Sequence, residues 1–96
     1  MTFSILVRDP ETGAMGGAAA TGNLCVGGWV LRGDVRAGLS ASQGKTPSTL
    51  WGEDVLDGMR KGLSAKNAVA ALVSADRGRE TRQLLAMDGG GRTAAL

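Results

Sequence analysis

The order of the predicted elements favours an α+β protein in which helices cover one face of a sheet. Four strand-like segments come first, two helix-like segments follow, and a strand hairpin ends the sequence. Strands grouped before helices are typical of α+β layers, whereas parallel sheets alternate strands with helices. The 96 residues suffice for one small domain. Two helices cover only one sheet face, and with 3% aromatic residues the chain is not expected to supply a second sheet for the other.

The first four segments carry strand patterns. Apolar side chains alternate at Phe3, Ile5 and Val7, which predicts a strand that buries this face. The second segment, 14–21, consists almost entirely of small residues, which let another layer approach closely and predict a central strand near a site. The predicted strands lie over residues 3–7, 14–21, 24–30 and 35–41, with turns at 9–13, 22–23 and 32–34.

Two helices follow, each with its own start signal. Ser48 is a good N-cap, and the apolar residues after it recur at helical spacing until the helix ends near Gly62. Ser64 caps the second helix, whose apolar stripe runs through 68–73. The terminal hairpin is predicted from strands at 82–88 and 92–96, joined by three glycines.

The composition argues against several classes of function. The net charge is only +2 and the basic residues are scattered, so nucleic-acid binding is not expected. With no histidine and one cysteine, the chain is not expected to hold a metal or to form an internal disulfide, and we predict no cofactor. The sequence has no leader pattern and no apolar run that would span a membrane, so a cytoplasmic protein is expected.

Segment 38–46 comes close to a phosphate-binding loop. It ends in Gly44, Lys45 and Thr46, as in the pattern G-x-x-x-x-G-K-[ST], but one residue too many separates its two glycines. Gly38 also falls within an alternating strand, whereas the first glycine of such a loop follows a strand. We therefore do not predict nucleotide binding.

Several motifs together resemble those of the DUF1028 family. The matching residues lie at 2–5, 8–13, 42–43, 62–65, 76–80 and 82–83, in the family's order. The resemblance implies membership of the N-terminal nucleophile (Ntn) hydrolases, with a four-layer αββα sandwich and hydrolysis of an amide bond. Residues 1–96 would then be the N-terminal half, or α-chain, of one domain that a second chain completes. Family members are longer, and they carry Thr-Gln where this chain has Ser42 and Gln43.

The resemblance implies a nucleophile and leaves two positions for it. In Ntn hydrolases a Ser, Thr or Cys attacks the amide carbonyl, and its own free α-amine, with a pKa of about 8, accepts the proton. Family members continue past Ala95 into a hydroxyl residue and glycine, so the main expectation is autoproteolysis after Leu96, with the nucleophile at the start of a β-chain. The other explanation of this chain end is truncation or cleavage of an exposed turn by a protease. The alternative nucleophile is Thr2, used as in proteasome-like subunits after removal of Met1, with an ordinary strand threonine as the simpler interpretation of that residue. In a third interpretation the chain is a non-catalytic α+β scaffold or assembly module.

The remaining candidates are supporting residues. Asn23 is a candidate for an oxyanion-hole amide, although asparagine in a Gly-Asn turn more often serves backbone geometry. Ser42 and Gln43 end a strand where the helices begin, and they are predicted to bind substrate at a pocket rim. Arg82 fits a substrate carboxylate, with an ion pair to Glu80 as the simpler interpretation.

The apolar candidates are assigned mainly to the core. Cys25 is predicted to be a small buried hydrophobe, with pocket lining as the alternative. Trp29 and Trp51 are assigned to the core or to an interface. The expected substrate is a small amide, ureido or peptide-like compound. The expected partner is the β-chain of the same precursor, with αβ units that assemble further. The chain by itself is expected to be unstable, because one apolar sheet face and an edge strand would lack cover.

Overall fold

The computed structural model describes residues 1–96 and contains six strands, three α-helices and one 3₁₀ turn. In chain order these are β1 (Thr2–Arg8), β2 (Met15–Thr21), α1 (Val26–Val30), β3 (Leu31–Asp34), β4 (Gly38–Gly44), α2 (Thr49–Arg60), α3 (Ala65–Ser74), the 3₁₀ turn (Arg79–Thr81), β5 (Arg82–Asp88) and β6 (Thr93–Ala95). This is a mixed α+β domain, as the order of elements predicts. None of its helices is both long enough and apolar enough to cross a membrane.

The strands form two separate antiparallel sheets. The larger sheet has the order β3-β4-β5-β6, and the smaller pairs β1 with β2. In the larger sheet Gln43 lies opposite Gln83, so the last residues of β4 and the first residues of β5 lie together at one end of these strands. In the smaller sheet Thr2 lies opposite Thr21, which brings together the start of β1 and the end of β2.

Helices α2 and α3 cover one face of the larger sheet. Their N-caps are the predicted serines: Ser48 Oγ accepts the Trp51 N–H at 3.4 Å, and Ser64 Oγ accepts the Asn67 N–H at 3.2 Å. Both predicted helices are therefore confirmed. Between them and the sheet lies a core of ten buried residues, in which Trp51 is 3% exposed and Leu84 is 1% exposed.

The opposite face of the larger sheet is covered by β1 and β2 of the same chain. Leu6 of β1 is buried against Val30, Ala41 and Met87 in a second core between the two sheets. The expectation that this chain would not supply a second sheet is therefore wrong. Small residues let β1 and β2 pack closely. A Cβ added at Gly17 of β2 would lie 3.0 Å from Leu6 Cδ2, so glycine leaves room for the Leu6 side chain.

The orientation of the smaller sheet overturns two predictions. Phe3, Ile5 and Val7 are 67%, 58% and 50% exposed, and the buried side chain of β1 is Leu6 from the other face. The small-residue strand β2 is not central, because it pairs with β1 alone. Alternation shows that the two faces of β1 differ, but which face is buried depends on the layer that packs against it.

The segment between β2 and β4 also differs from its prediction. Residues 26–30 form the short helix α1 where a strand was expected, and β3 occupies the turn predicted at 32–34. The turn lies further on, because Asp34 accepts the Arg36 N–H with its carboxylate at 2.8 Å and the Ala37 N–H with its carbonyl at 2.9 Å. The fourth strand accordingly spans Gly38–Gly44.

Asp34 links this turn to α2. Its carboxylate Oδ2 lies 2.6 Å from Arg60 Nη2. The Arg36 N–H, followed by the Arg60 and Arg36 guanidinium groups, holds the pKa of Asp34 well below its ordinary value. Because the folded pKa is depressed, this stabilisation is fully present above the unfolded pKa of about 4 and is lost as pH falls toward the folded value.

We therefore expect Asp34→Asn to weaken the dependence of the free energy of unfolding on pH in the acidic range. The wild-type protein should lose stability progressively below about pH 4, and the variant should lose less over the same interval. Urea unfolding at a series of acidic pH values measures the difference. Asp54→Asn, which changes an exposed carboxylate of α2, is the control and should keep the wild-type slope. An Asp34→Asn slope equal to that of the wild type would contradict the prediction.

Candidate functional site

Two cavities lie side by side where β1 begins and β4 ends. The larger cavity has a volume of about 1070 Å³ and the smaller cavity about 240 Å³. Five residues line both of them: Thr2, Asn23, Gln43, Gly44 and Lys45. Three of these are site candidates predicted from sequence, and they come from β1, from the turn after β2 and from β4. The fold therefore brings Thr2, Asn23 and Gln43 to one place.

The hydroxyl of Thr2 belongs to a chain of hydrogen bonds at the end of the smaller sheet. Thr2 Oγ1 donates to Thr21 Oγ1 at 2.9 Å, and Thr21 Oγ1 donates to the Met1 carbonyl at 3.1 Å. Thr2 is half-buried, whereas the side chain of Met1 is fully exposed. Thr21 therefore contacts both the Thr2 hydroxyl and the residue that precedes it.

Gln43 joins the two sheets at this end. Its Nε2 donates to the Thr2 carbonyl at 2.8 Å and to Gln83 Oε1 at 3.1 Å, while its Oε1 accepts the Ser4 hydroxyl at 2.9 Å. Gln43 therefore holds the main chain of Thr2 against the larger sheet. A side chain with three such partners has one orientation of its amide, which makes Gln43 a positioning group for the start of β1.

Arg82 lines the larger cavity, but protein groups occupy its guanidinium. The guanidinium pairs with Asp76, its Nε donates to the Thr46 carbonyl at 2.9 Å, and its Cζ lies 5.7 Å from the centre of the Trp51 ring. The Gly78 N–H and the charge of Arg82 outweigh partial burial and hold the pKa of Asp76 below its ordinary value. The ion pair predicted with Glu80 is therefore made with Asp76 instead, and the guanidinium ties the start of β5 to the loop before α2.

The other predicted residues take different positions. Ser42 lines the smaller cavity but is 3% exposed, and its hydroxyl donates to the Ser48 carbonyl at 2.7 Å, which fixes the start of α2. Cys25 is exposed, contrary to the prediction of a buried hydrophobe, and it lines neither of these cavities. Its backbone is left-handed, with φ of 57°, because it makes the turn into α1. Leu96 lines the larger cavity, where its N–H donates to the Leu84 carbonyl at 2.9 Å.

Sequence reasoning missed four residues of this site. Ser4, Thr21 and Lys45 lie around Thr2 and Gln43, and Trp29 forms part of the wall of the smaller cavity. Antiparallel pairing of the first two strands would have placed Thr21 opposite Thr2. Lys45 and Trp29 carry no such signal, because their positions depend on how α1 and the loop after β4 pack.

The structure also bears on the near match to a phosphate loop and on metal binding. Segment 38–44 is strand β4 throughout, so the two glycines of the near match lie at the ends of a strand and form no loop between them. No group of three or more acidic, cysteine or histidine side chains converges on a point where a metal ion could bind.

Comparison with known proteins gives a family and a solved relative. The chain matches a family model described as "Family of unknown function (DUF1028)" over residues 2–96. It is similar to a crystal structure of protein SPO2555 from Silicibacter pomeroyi, which carries the same family designation, with 64% sequence identity and a TM-score of 0.96. That match covers 99% of this chain and 44% of the relative, so the chain spans less than half the relative's length. No functionally curated protein matches the chain. The match over residues 2–96 shows that the chain belongs to the DUF1028 family.

Proposed function

We propose that this protein is an Ntn-type hydrolase of a small amide, ureido or peptide-like C–N bond, with Thr2 as nucleophile after removal of Met1. The observation that carries the proposal is the position of Thr2. It starts β1, lines both cavities and has its hydroxyl bonded to Thr21. Once Met1 is removed, the α-amine and the hydroxyl of Thr2 lie on one residue beside a cavity large enough for a small substrate.

The chemistry follows from these two groups. Thr2 Oγ1 attacks the carbonyl carbon of the substrate amide, and its proton passes to the α-amine of Thr2. The resulting ammonium gives a proton to the leaving nitrogen as the C–N bond breaks, which leaves an ester on Thr2. Water then attacks the ester with the amine again as base, and the carboxylic acid is released. The α-amine suits this role because its pKa of about 8 lies near neutral pH.

Three neighbours support the reaction in this scheme. Thr21 is a positioning residue, since its hydroxyl already contacts Thr2 Oγ1. Gln43 holds the Thr2 carbonyl at 2.8 Å and so orients the residue as a whole. Asn23 lies on the rim shared by both cavities, where an amide N–H would stabilise the oxyanion.

A second candidate places the nucleophile after Leu96. Leu96 lines the same larger cavity as Thr2, so a residue that follows it in a precursor would also lie beside this cavity. In this version autoproteolysis after Leu96 yields an α-chain and a β-chain, and the first residue of the β-chain attacks the substrate. The two candidates share the cavity and differ in which chain carries the new N-terminus.

The exposed face of the smaller sheet supports completion of the domain by more polypeptide. Phe3, Ile5 and Val7 lie side by side on the outer face of β1, and each is at least half exposed. An apolar sheet face of this kind usually packs against another layer. We propose that a helical layer from the remaining polypeptide covers it and makes an αββα sandwich, with further assembly of these units.

The intact masses and N-terminal sequences of the purified protein test the proposal. A first residue of Thr2 supports the first candidate. A fragment that begins after Leu96 with Thr, Ser or Cys supports the second. If Met1 is retained and no chain starts at a hydroxyl or thiol residue, neither nucleophile has a free amine, and the non-catalytic scaffold is favoured.

A further inference from the structure

The smaller cavity is lined by four apolar residues, three from α1 and Leu24 from the segment before it. Val26 and Val30 are one helical turn apart and both pack in the core between the sheets, which anchors α1. Trp29 lies on the same short helix, yet it is 63% exposed and lines the smaller cavity together with Leu24, which is 88% exposed. A large aromatic side chain on a fixed helix is thus left uncovered at the cavity wall.

Polar residues also line the smaller cavity, and they include the proposed nucleophile. Thr2, Asn23 and Lys45 are among them, and all three also line the larger cavity. The volume of about 240 Å³ corresponds to roughly eight waters at about 30 Å³ each. This is room for one amino-acid side chain or an acyl group of similar size. A group in the smaller cavity is therefore surrounded by residues that include both the apolar side chains of α1 and the proposed nucleophile Thr2.

We propose that the smaller cavity is the subsite for an apolar side chain on the acyl part of the substrate, and that Trp29 is its specificity-determining residue. The inference rests on the proposed amide hydrolysis. An apolar group here covers Trp29 and Leu24 while its carbonyl remains beside Thr2 and Asn23. Binding removes apolar surface from water on both partners and leaves the polar rim free for the reacting amide.

Selectivity between two amides tests the subsite. The probes are the aminomethylcoumarin amides of N-acetyl-leucine and N-acetyl-glycine, which differ in the side chain alone. Trp29→Ala should lower kcat/KM for the leucyl amide by about 10- to 100-fold and for the glycyl amide by less than about threefold. Trp29→Phe should keep most of the preference. Leu50→Ala, which removes a 67% exposed apolar side chain of α2 outside both cavities, is the matched control and should leave both rates unchanged.

Tryptophan fluorescence gives a readout that needs no turnover. Trp51 is 3% exposed and Trp29 is 63% exposed, so a ligand that covers Trp29 shifts the emission to shorter wavelength. N-acetyl-leucinamide should produce this shift in Thr2→Ala, and N-acetyl-glycinamide should not. The shift should vanish when Trp29→Ala is added.

The two readouts separate failure of the subsite from failure of the proposed function. A shift with N-acetyl-leucinamide but no hydrolysis of either probe would support the subsite and reject the hydrolase. Hydrolysis whose rates fall equally for both probes in Trp29→Ala would reject the subsite and keep the hydrolase. A change of assembly mass in Trp29→Ala without a change of selectivity would assign Trp29 to an interface and also overturn the subsite.

Discussion

Thr2→Ala should lower kcat/KM for amide hydrolysis by about 10³-fold or more, because it removes the attacking oxygen and leaves only binding and oxyanion stabilisation. Thr2→Ser keeps both hydroxyl and amine and should retain activity within about tenfold. Because the proposed site joins nucleophile and base in one residue, no neighbouring group replaces it. Initial rates on the N-acetyl-leucine coumarin amide measure the loss, and circular dichroism checks that the fold is retained.

Labelling adds a readout that does not depend on a good substrate. A β-lactone opened by Thr2 Oγ1 leaves an ester that adds the full mass of the lactone to the protein, and fragmentation of the labelled peptide locates it. The adduct should be found on Thr2 in the wild type and be absent in Thr2→Ala. Thr12→Ala, the same substitution in the exposed β1–β2 turn, is the control and should retain both rate and label. Wild-type rates in Thr2→Ala would reject Thr2 as the nucleophile and favour the second candidate, in which the nucleophile follows Leu96.

Asp88→Ala should lower the free energy of unfolding by about 2–4 kcal/mol. Asp88 is 4% exposed and ends β5 beneath the start of α3. Its Oδ1 accepts the Gly90 and Arg92 N–H groups at 3.1 Å each, and its Oδ2 accepts the Ala65 N–H at 3.1 Å. Alanine would leave these donors without their partner, including one in the first turn of α3.

Backbone hydrogen bonds also stabilise the charged form of the Asp88 carboxyl group. Burial raises the pKa of Asp88, but the Ala65 and Arg92 N–H groups outweigh it and hold the pKa below its ordinary value. Asp88→Asn should therefore cost less than Asp88→Ala, since it keeps one acceptor oxygen, but more than the control. Urea denaturation at neutral pH measures all three variants. Asp54→Ala on the exposed face of α2 is the control and should stay within about 0.5 kcal/mol of the wild type. An Asp88→Ala cost as small as that of the control would reject this role.

The elements that were predicted well are those with signals inside the element. The helices after Ser48 and Ser64 start where a hydroxyl caps the first turn, and the terminal hairpin turns at its glycines. The region 24–37 was mispredicted because its apolar residues fit a strand as well as a short helix. Only packing of Val26 and Val30 between the sheets selects the helix.

Sequence patterns identify several residues of the site one at a time, but they do not predict that these residues lie together. Thr2, Asn23 and Gln43 were each identified from sequence, and all three line both cavities. What brings them together is the contact of two sheets, made through a hydrogen bond between residues 41 apart in the chain. Sequence patterns within one element carry no information about such a contact, so Trp29 and Lys45 were missed as members of the site.

The sequence by itself determined the α+β class, both longer helices and the membership in the DUF1028 family, because caps, turns and motifs act over a few neighbouring residues. The tertiary structure alone decided that β1 and β2 form their own sheet, that Leu6 is buried while Phe3 is exposed, and that Thr2 lies beside Gln43. These outcomes depend on which layers exclude water from each other. The free energy gained by burying apolar surface comes from contacts between distant parts of the chain, so the sequence of a single segment does not predict it.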